Sequence, residues 1–204
     1  MAALSGELVM EALRGQTPVV PHDREEARWV SRAQAGDTAG QRWLLERYRA
    51  RMVRLAAHIL RGEADAEDVA QEAFVQAFRH LGALRGDGSA FAPWLRRIVV
   101  RRCLDHLRRP ARQREVPAGD THDWAGQGST ARTDTRLLVE TLLDKLTPPL
   151  RAALVLRECE GMDYEEIALL LRVPVGTVRS RLHAARAQFR ALWLAADGED
   201  TSNV

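Results

Sequence analysis

Residues 163–183 read Asp-Tyr-Glu-Glu-Ile-Ala-Leu-Leu-Leu-Arg-Val-Pro-Val-Gly-Thr-Val-Arg-Ser-Arg-Leu-His, a pattern that predicts two helices joined by a short turn. The Asp163 side chain is expected to accept from an amide of the first turn, while Glu166 reaches back to the Asp163 amide in a capping box. Proline lacks an amide and disfavours helical geometry in the residue before it, so residues 172–174 end the first helix. These three residues form the turn of a predicted helix-turn-helix.

The second of these helices has two distinct sides. Apolar residues recur at three- and four-residue spacing and predict one buried stripe, formed by Val175, Val178, Leu182, Ala185, Phe189 and Leu192. The opposite side suits a DNA groove, because it offers arginine, hydroxyl and backbone donors for phosphates and base edges. The candidate DNA-contacting residues are Gly176, Thr177, Arg179, Ser180, Arg181, His183 and Arg186. An ordinary amphipathic hairpin with a solvated arginine face is the alternative interpretation.

Composition and cysteine spacing favour a protein with buried cores and reduced thiols. The 204 residues are 46% hydrophobic and carry a net charge of only +2, and the basic residues are nearly all arginine in local clusters. Cys103 and Cys159 lack the spacing of a zinc or redox motif, so we assign them to packing in a cytoplasmic protein. No apolar run is long enough to cross a membrane, and the N-terminus lacks the pattern of a signal peptide.

Helical periodicity predicts an all-α chain with two small helical domains, an N-terminal bundle and a C-terminal four-helix domain. The predicted helices cover residues 25–35, 39–60, 65–80, 93–107, 135–146, 148–160, 163–172 and 175–192. Asp65 is expected to cap the third of these and Pro93 to open the fourth. The predicted domains are a loose extension (1–24), the N-terminal domain (25–109), a Pro- and Gly-rich linker (110–134), the C-terminal domain (135–195) and a tail (196–204).

A basic segment follows the turn-rich loop at residues 85–89. Arg97, Arg101 and Arg108 recur at helical spacing and could follow a phosphate backbone, whereas Phe91 and Trp94 could stack on an unpaired base or pack in the core. A solvated arginine face is again the alternative. The candidate nucleic-acid contacts of this region are Arg85, Ser89, Phe91, Trp94, Arg96, Arg97, Arg101 and Arg108.

The helix before that loop carries an acidic face. Its solvent-facing residues include Glu67, Asp68, Gln71 and Glu72, which form either a solvated face or a docking surface for a basic partner. The helix lacks the Glu-x-x-His pairs of a carboxylate metal centre, so we expect no metal and no cofactor. The histidines have no nucleophile arrangement around them, and we expect no catalytic residue.

The order of these parts resembles the extracytoplasmic-function sigma factors of bacteria. The resemblance is carried by residues 33–37 (Ala-Gln-Ala-Gly-Asp), 65–74 (Asp-Ala-Glu-Asp-Val-Ala-Gln-Glu-Ala-Phe), 91–95 (Phe-Ala-Pro-Trp-Leu), 105–109 (Asp-His-Leu-Arg-Arg), 164–167 (Tyr-Glu-Glu-Ile) and 173–182. The resemblance as a whole covers residues 30–192. The resemblance implies a non-enzymatic protein whose partners are core RNA polymerase, promoter DNA and an anti-sigma factor, with no membrane or small-molecule substrate.

The resemblance also implies a role for each segment. The helix at residues 65–78 would dock on polymerase, through Asp65, Glu67, Asp68, Gln71 and Glu72. Residues 85–109 would recognise and open the downstream (minus-ten) element, and the helix-turn-helix would read the upstream (minus-thirty-five) element. The chain departs from the family pattern at Arg96, where an aromatic is common, and at Arg101, where asparagine is common. We expect phosphate contact from both arginines.

Two other functions fit parts of the sequence. A helix-turn-helix regulator would bind DNA tightly without polymerase. A small helical enzyme would use the carboxylates of residues 65–72 with a bound metal, and would require stoichiometric metal in the purified protein.

Overall fold

The computed structural model describes residues 24–60, 63–86, 88–108 and 130–200. Most of these residues are helical, and no strand occurs among them. They group into two compact units, one ending at residue 108 and the other beginning at residue 130. The predicted fold class, all-α with two small helical domains, is therefore confirmed. Most of the predicted extension (1–24) and linker (110–134), and the end of the tail, lie outside the described residues.

The N-terminal unit contains four α-helices. They are α1 (Arg24–Gln34), α2 (Thr38–Ile59), α3 (Glu63–His80) and α4 (Phe91–Arg108), with short 3-10 turns at Leu81–Ala83 and Gly88–Ala90. Asp37 caps α2, because its Oδ1 accepts from the Ala39 amide at 2.8 Å. That backbone hydrogen bond, together with a side-chain hydrogen bond from Arg32, lowers the pKa of Asp37.

The core of this unit forms around α2, which packs against α1, α3 and α4. The helical periodicity of α2 predicts one apolar face formed by Leu45, Tyr48, Met52, Leu55 and Ile59. All of these residues are buried except Leu45, which is only half-buried. Leu44, one residue earlier, is fully buried.

Two glycines allow α1 to pack closely on its neighbours. A Cβ added to Gly88 would lie 2.3 Å from the Ala27 Cα atom, and one added to Gly40 would lie 2.7 Å from the Ala33 nitrogen. No side chain fits at such separations. Gly88 thus allows the 3-10 turn that precedes α4 to pack directly against α1.

Two helix starts differ from the prediction. The third helix begins at Glu63 rather than after a cap at Asp65, so Asp65 lies in its first turn. The fourth begins at Phe91, two residues before Pro93. A proline is tolerated there because the amides of the first turn have no partner within the helix.

The C-terminal unit contains the four predicted helices with different bounds. They are α5 (Thr130–Asp144), α6 (Pro148–Leu154), α7 (Tyr164–Leu171) and α8 (Val175–Asp200). The helix predicted for residues 148–160 is α-helical only to Leu154 and continues as a π-helical segment, Val155–Cys159. In addition, α5 begins inside the predicted linker and α8 extends into the predicted tail.

The helix-turn-helix forms as its sequence predicts. The Glu166 amide donates to Asp163 Oδ1 at 2.7 Å, and the Asp163 amide donates to Glu166 Oε2 at 3.3 Å, which completes the capping box. The first helix ends at Leu171, and Arg172 adopts a left-handed conformation with φ 56°. Both cysteines are buried, one in each unit. None of the helices in the described part of the chain is long and apolar enough to cross a membrane.

Candidate nucleic-acid interface

Helix α8 presents one polar face to solvent. Val178, Leu182, Ala185 and Phe189 are buried at 1% exposure or less, which confirms the central part of the predicted apolar stripe. On the opposite side Gly176, Arg179, Ser180 and His183 are exposed, while Thr177 and Arg181 are half-buried. A Cβ added to Gly176 would meet nothing within 4 Å, so the start of this face is open.

Hydrogen bonds within the helix determine what Thr177 and Ser180 can offer a ligand. The Thr177 amide donates to the Pro174 carbonyl at 2.9 Å, so the hydroxyl is the group that remains for a phosphate. The Ser180 hydroxyl donates to the Thr177 carbonyl at 3.0 Å. Its oxygen lone pairs point outward and can accept from a base.

Arg186 differs from the other predicted contacts on α8. Its Nε and Nη2 atoms donate to Glu158 Oε1 at 3.1 Å and 2.6 Å. Partial burial lowers the pKa of Arg186, but the hydrogen bonds to Glu158 and Tyr164 outweigh it, so the pKa is raised above its usual value. The structure thus places Arg186 in an intramolecular contact and not on the open part of the polar face.

Helix α4 exposes the predicted arginine stripe. Arg97, Arg101 and Arg108 are exposed, and Arg108 Nη1 lies 3.1 Å from Asp105 Oδ1, one turn earlier. Arg85 and Ser89, in the preceding loop, are exposed as well, and Arg96 is half-buried. The surface of this unit therefore combines a basic helix with the exposed loop that leads into it.

The two aromatic residues of this segment have different environments. Phe91 is fully buried, and its ring lies 5.6 Å from the Tyr48 ring and 6.2 Å from the Trp94 ring. Phe91 cannot stack on a base from that position, so its prediction as a nucleic-acid contact is corrected to core packing. Trp94 is half-buried and retains an accessible part of its ring system.

The acidic face of α3 is exposed but joined to its neighbours. Glu67 pairs with Arg49 at 3.1 Å, and Glu72 pairs with Arg102 at 3.2 Å. The other two members of this face, Asp68 and Gln71, are exposed.

Asp65 makes a contact that the sequence did not indicate. Its Oδ2 atom lies 3.2 Å from Nε2 of His106 on α4, and the partners are separated by about 40 positions in the chain. Glu158 and Arg186 are likewise far apart in sequence. Local patterns carry no information about such pairs, because helix packing brings the partners together. Among the described residues, no group of three His, Cys, Asp or Glu side chains could hold a metal ion.

Comparison with known families matches both units. Residues 44–113 match the sequence profile of Sigma-70 region 2, and residues 136–189 match that of Sigma-70, region 4. The RNA polymerase sigma-H factor of Pseudomonas aeruginosa is 37% identical over 176 residues, which is 79% of this chain and 90% of that protein. The ECF RNA polymerase sigma factor SigM of Mycobacterium tuberculosis is 36% identical, covering 84% of this chain and 86% of that protein.

Two further comparisons agree with these. The ECF RNA polymerase sigma-E factor of Escherichia coli is 36% identical, covering 77% of this chain and 88% of that protein. The structure of CnrH in complex with the cytosolic domain of CnrY superimposes with a TM-score of 0.55 at 27% identity, covering 83% of this chain and 97% of CnrH. The chain therefore belongs to the extracytoplasmic-function sigma factors of the sigma-70 family, which direct RNA polymerase to start transcription at particular promoters.

Proposed function

We propose that α8 reads the upstream promoter element through Arg179 and Ser180, with Gly176, Thr177, Arg181 and His183 contacting the flanking backbone. The observation that carries this proposal is the open polar face of α8, directly opposite its buried stripe. Arg179 can donate two hydrogen bonds to guanine in the major groove, and Ser180 can accept from a base amino group. Arg186 is left out of this set because Glu158 engages two of its nitrogens.

The N-terminal unit has two proposed surfaces. The exposed side of α4 would hold the opened downstream element through phosphate contacts and one stacked base. Trp94 lies within this helix, and Arg85 and Ser89 lie in the loop before it. The acidic face of α3 would dock on a basic surface of core RNA polymerase. We assign these roles to the predicted domains, residues 25–109 and 135–195, joined by the linker at 110–134.

Partners and setting follow from the same proposal. The protein would work in the cytoplasm without an active site or cofactor of its own. A protein partner of the anti-sigma kind is also proposed, because the similar CnrH was solved with the cytosolic domain of CnrY bound.

Reconstituted transcription tests the function as a whole. Core polymerase mixed with the full chain should initiate at promoters selected from a library with a randomised upstream element. The same chain without polymerase should bind those fragments weakly. Tight, sequence-specific binding without polymerase would instead indicate a stand-alone regulator.

A single substitution tests the proposed base reading. Arg179→Ala should reduce discrimination at one base pair by about 1–3 kcal/mol, because a bidentate contact is lost. Arg190→Ala is the matched control, since Arg190 is also an exposed arginine of α8, three turns further along. Equal effects of the two variants on all sequences would remove Arg179 from the reading set.

Charge reversal tests the proposed polymerase surface. Asp68→Arg should weaken binding to core polymerase severalfold, because an exposed acidic residue is replaced by a basic one. Asp68 is the preferred position, since reversal at Glu67 or Glu72 would also break a pair with Arg49 or Arg102. Glu46→Arg, at an exposed position of α2, is the control. Equal polymerase affinity for both variants would argue against docking through α3.

A further inference from the structure

The contact between Glu158 and Arg186 joins the π-helical segment to the proposed recognition helix. The Glu158 side chain is only 3% exposed, and the Arg186 side chain is 36% exposed. One carboxylate oxygen accepts from both Nε and Nη2 of the guanidinium. A buried carboxylate is costly without a charged partner, so the Arg186 contact stabilises Glu158 inside the unit.

The start of α7 joins the same contact. Tyr164, the first residue of α7, also interacts with the Arg186 guanidinium. Arg157, next to Glu158, lies 5.2 Å above the Tyr164 ring and donates to the Met162 carbonyl at 2.8 Å. The cluster of Arg157, Glu158, Tyr164 and Arg186 thus connects the π-helical segment, the first helix of the helix-turn-helix and α8.

Apolar packing and hydrogen bonding restrain α8 in different ways. The stripe of Val178, Leu182, Ala185 and Phe189 attracts the helix to the core, but such attraction is not directional. Hydrogen bonds to a charged group depend on distance and angle. The Arg186 contact therefore adds a directional restraint two helical turns beyond Arg179.

We propose that Arg186 and Glu158 are positioning residues that orient α8, so that Arg179 and Ser180 meet their base pair, and that Arg186 does not itself contact DNA. This inference rests on the proposed reading of the upstream element by α8. A positioning role for Arg186 differs from a phosphate contact by Arg186 in one measurable respect. A positioning residue changes discrimination between sequences, whereas a phosphate contact changes affinity for all sequences and its dependence on salt.

The experiment uses the full chain bound to core polymerase, with a promoter fragment selected from a library randomised in its upstream element. The variants are Arg186→Lys, Arg186→Gln, Glu158→Gln and the double variant Glu158→Gln/Arg186→Gln. Two quantities are measured for each: the affinity ratio between the selected fragment and single-base-pair substitutions, and the slope of log affinity against log salt concentration.

We expect Arg186→Gln and Glu158→Gln to reduce the discrimination ratio by about tenfold, within the range that one bidentate base contact supplies. Arg186→Lys should lose nearly as much, because an ammonium keeps the charge but not the planar fork. The salt slope should stay at the wild-type value in all variants. The double variant should be no worse than the more affected single variant, since both substitutions break one contact.

Several results would overturn the inference. One is a salt slope reduced by about one in Arg186→Gln but not in Glu158→Gln, with uniform weakening across sequences. Another is a Glu158→Gln variant that discriminates like the wild type. Circular dichroism checks folding of each variant. If Arg186→Gln unfolds, Arg186→Lys and Glu158→Gln decide the question. Failure of the wild-type protein to select any upstream element would reject the proposed function itself, which is a different outcome.

Discussion

An ion pair that joins two helices of the N-terminal unit lies at the surface, whereas two pairs in the C-terminal unit each place one member in the interior. Arg102 and Glu72 are 36% and 52% exposed. In the other unit Glu158 is 3% exposed beside Arg186, and Arg151 is 1% exposed beside Asp144. Loss of an arginine–carboxylate pair is therefore expected to have different consequences at an exposed site and at a buried one.

The difference indicates which charges are available to partners. An exposed pair contributes about 0–1 kcal/mol, so a partner can replace it at little cost. A buried carboxylate cannot lose its arginine without a large penalty. The acidic face of α3 is thus suited to exchange its internal partners for polymerase, whereas Glu158 is suited to hold α8 in place.

The reactivity of the two buried thiols reports how readily each unit opens. Burial raises the pKa of Cys159 to about 12, with a smaller contribution from Glu160 and Glu158, and it raises the pKa of Cys103 still further. At pH 8 a pKa near 12 leaves about a thousandfold less thiolate than an ordinary cysteine has. We expect both native thiols to react with a thiol reagent far more slowly than those of the unfolded chain, because burial disfavours the reactive thiolate.

The variants Cys103→Ala and Cys159→Ala assign the two rates. Each leaves one thiol as a reporter of its own unit, and the denatured protein supplies the reference rate. A native rate close to the denatured one would show that the unit concerned opens readily, and would contradict the burial of its thiol.

Removal of one arginine from each unit tests the difference in charge burial. Arg186→Ala should lower the free energy of unfolding by about 3 kcal/mol, because the Glu158 carboxylate loses its partner. Arg102→Ala, the matched control, should lower it by less than about 1 kcal/mol. Urea denaturation followed by circular dichroism measures both values. Similar losses in the free energy of unfolding would mean that burial does not make the Arg186 pair more important to stability than the Arg102 pair.

The smallest expected effect concerns the turn of the helix-turn-helix. Arg172 is exposed and has a φ of 56°, a conformation that favours glycine. Arg172→Gly should therefore raise the free energy of unfolding by about 1 kcal/mol. Arg172→Ala removes the same side chain but keeps the unfavourable backbone, so it should bring no gain. A gain in the alanine variant would assign the effect to the side chain and not to the backbone.

The sequence predicted most of the helices, because their signals are local. Asp163, Glu166 and Pro174 mark the ends of α7 within a few residues, and the structure confirms the capping box and the three-residue turn. The periodicity of α8 likewise placed Val178, Leu182, Ala185 and Phe189 in the core. The exposed face of the candidate site followed from the same periodicity.

The incorrect expectations concern packing between helices. The sequence could not show that Arg186 would meet Glu158, because the π-helical segment that orients Glu158 has no recognisable signal in Val155–Cys159. The sequence left two roles open for Phe91, base stacking and core packing. Only the packing of α4 against α2 placed its ring beside Tyr48. Asp65 resembled a helix cap in sequence, but its helix began two residues earlier, at Glu63.

The π-helical segment also has a consequence for changes in chain length. A π-helical turn accommodates more residues than an α-helical turn over a similar rise. Deleting one residue from Val155–Cys159 would leave a regular α-helical turn, because the segment holds more residues than an α-helical turn of similar rise. The two flanks would keep nearly the same orientation, while side chains inside the segment, including that of Glu158, would change direction relative to one flank. We expect such a deletion to disturb the contact with Arg186 while the helix itself persists.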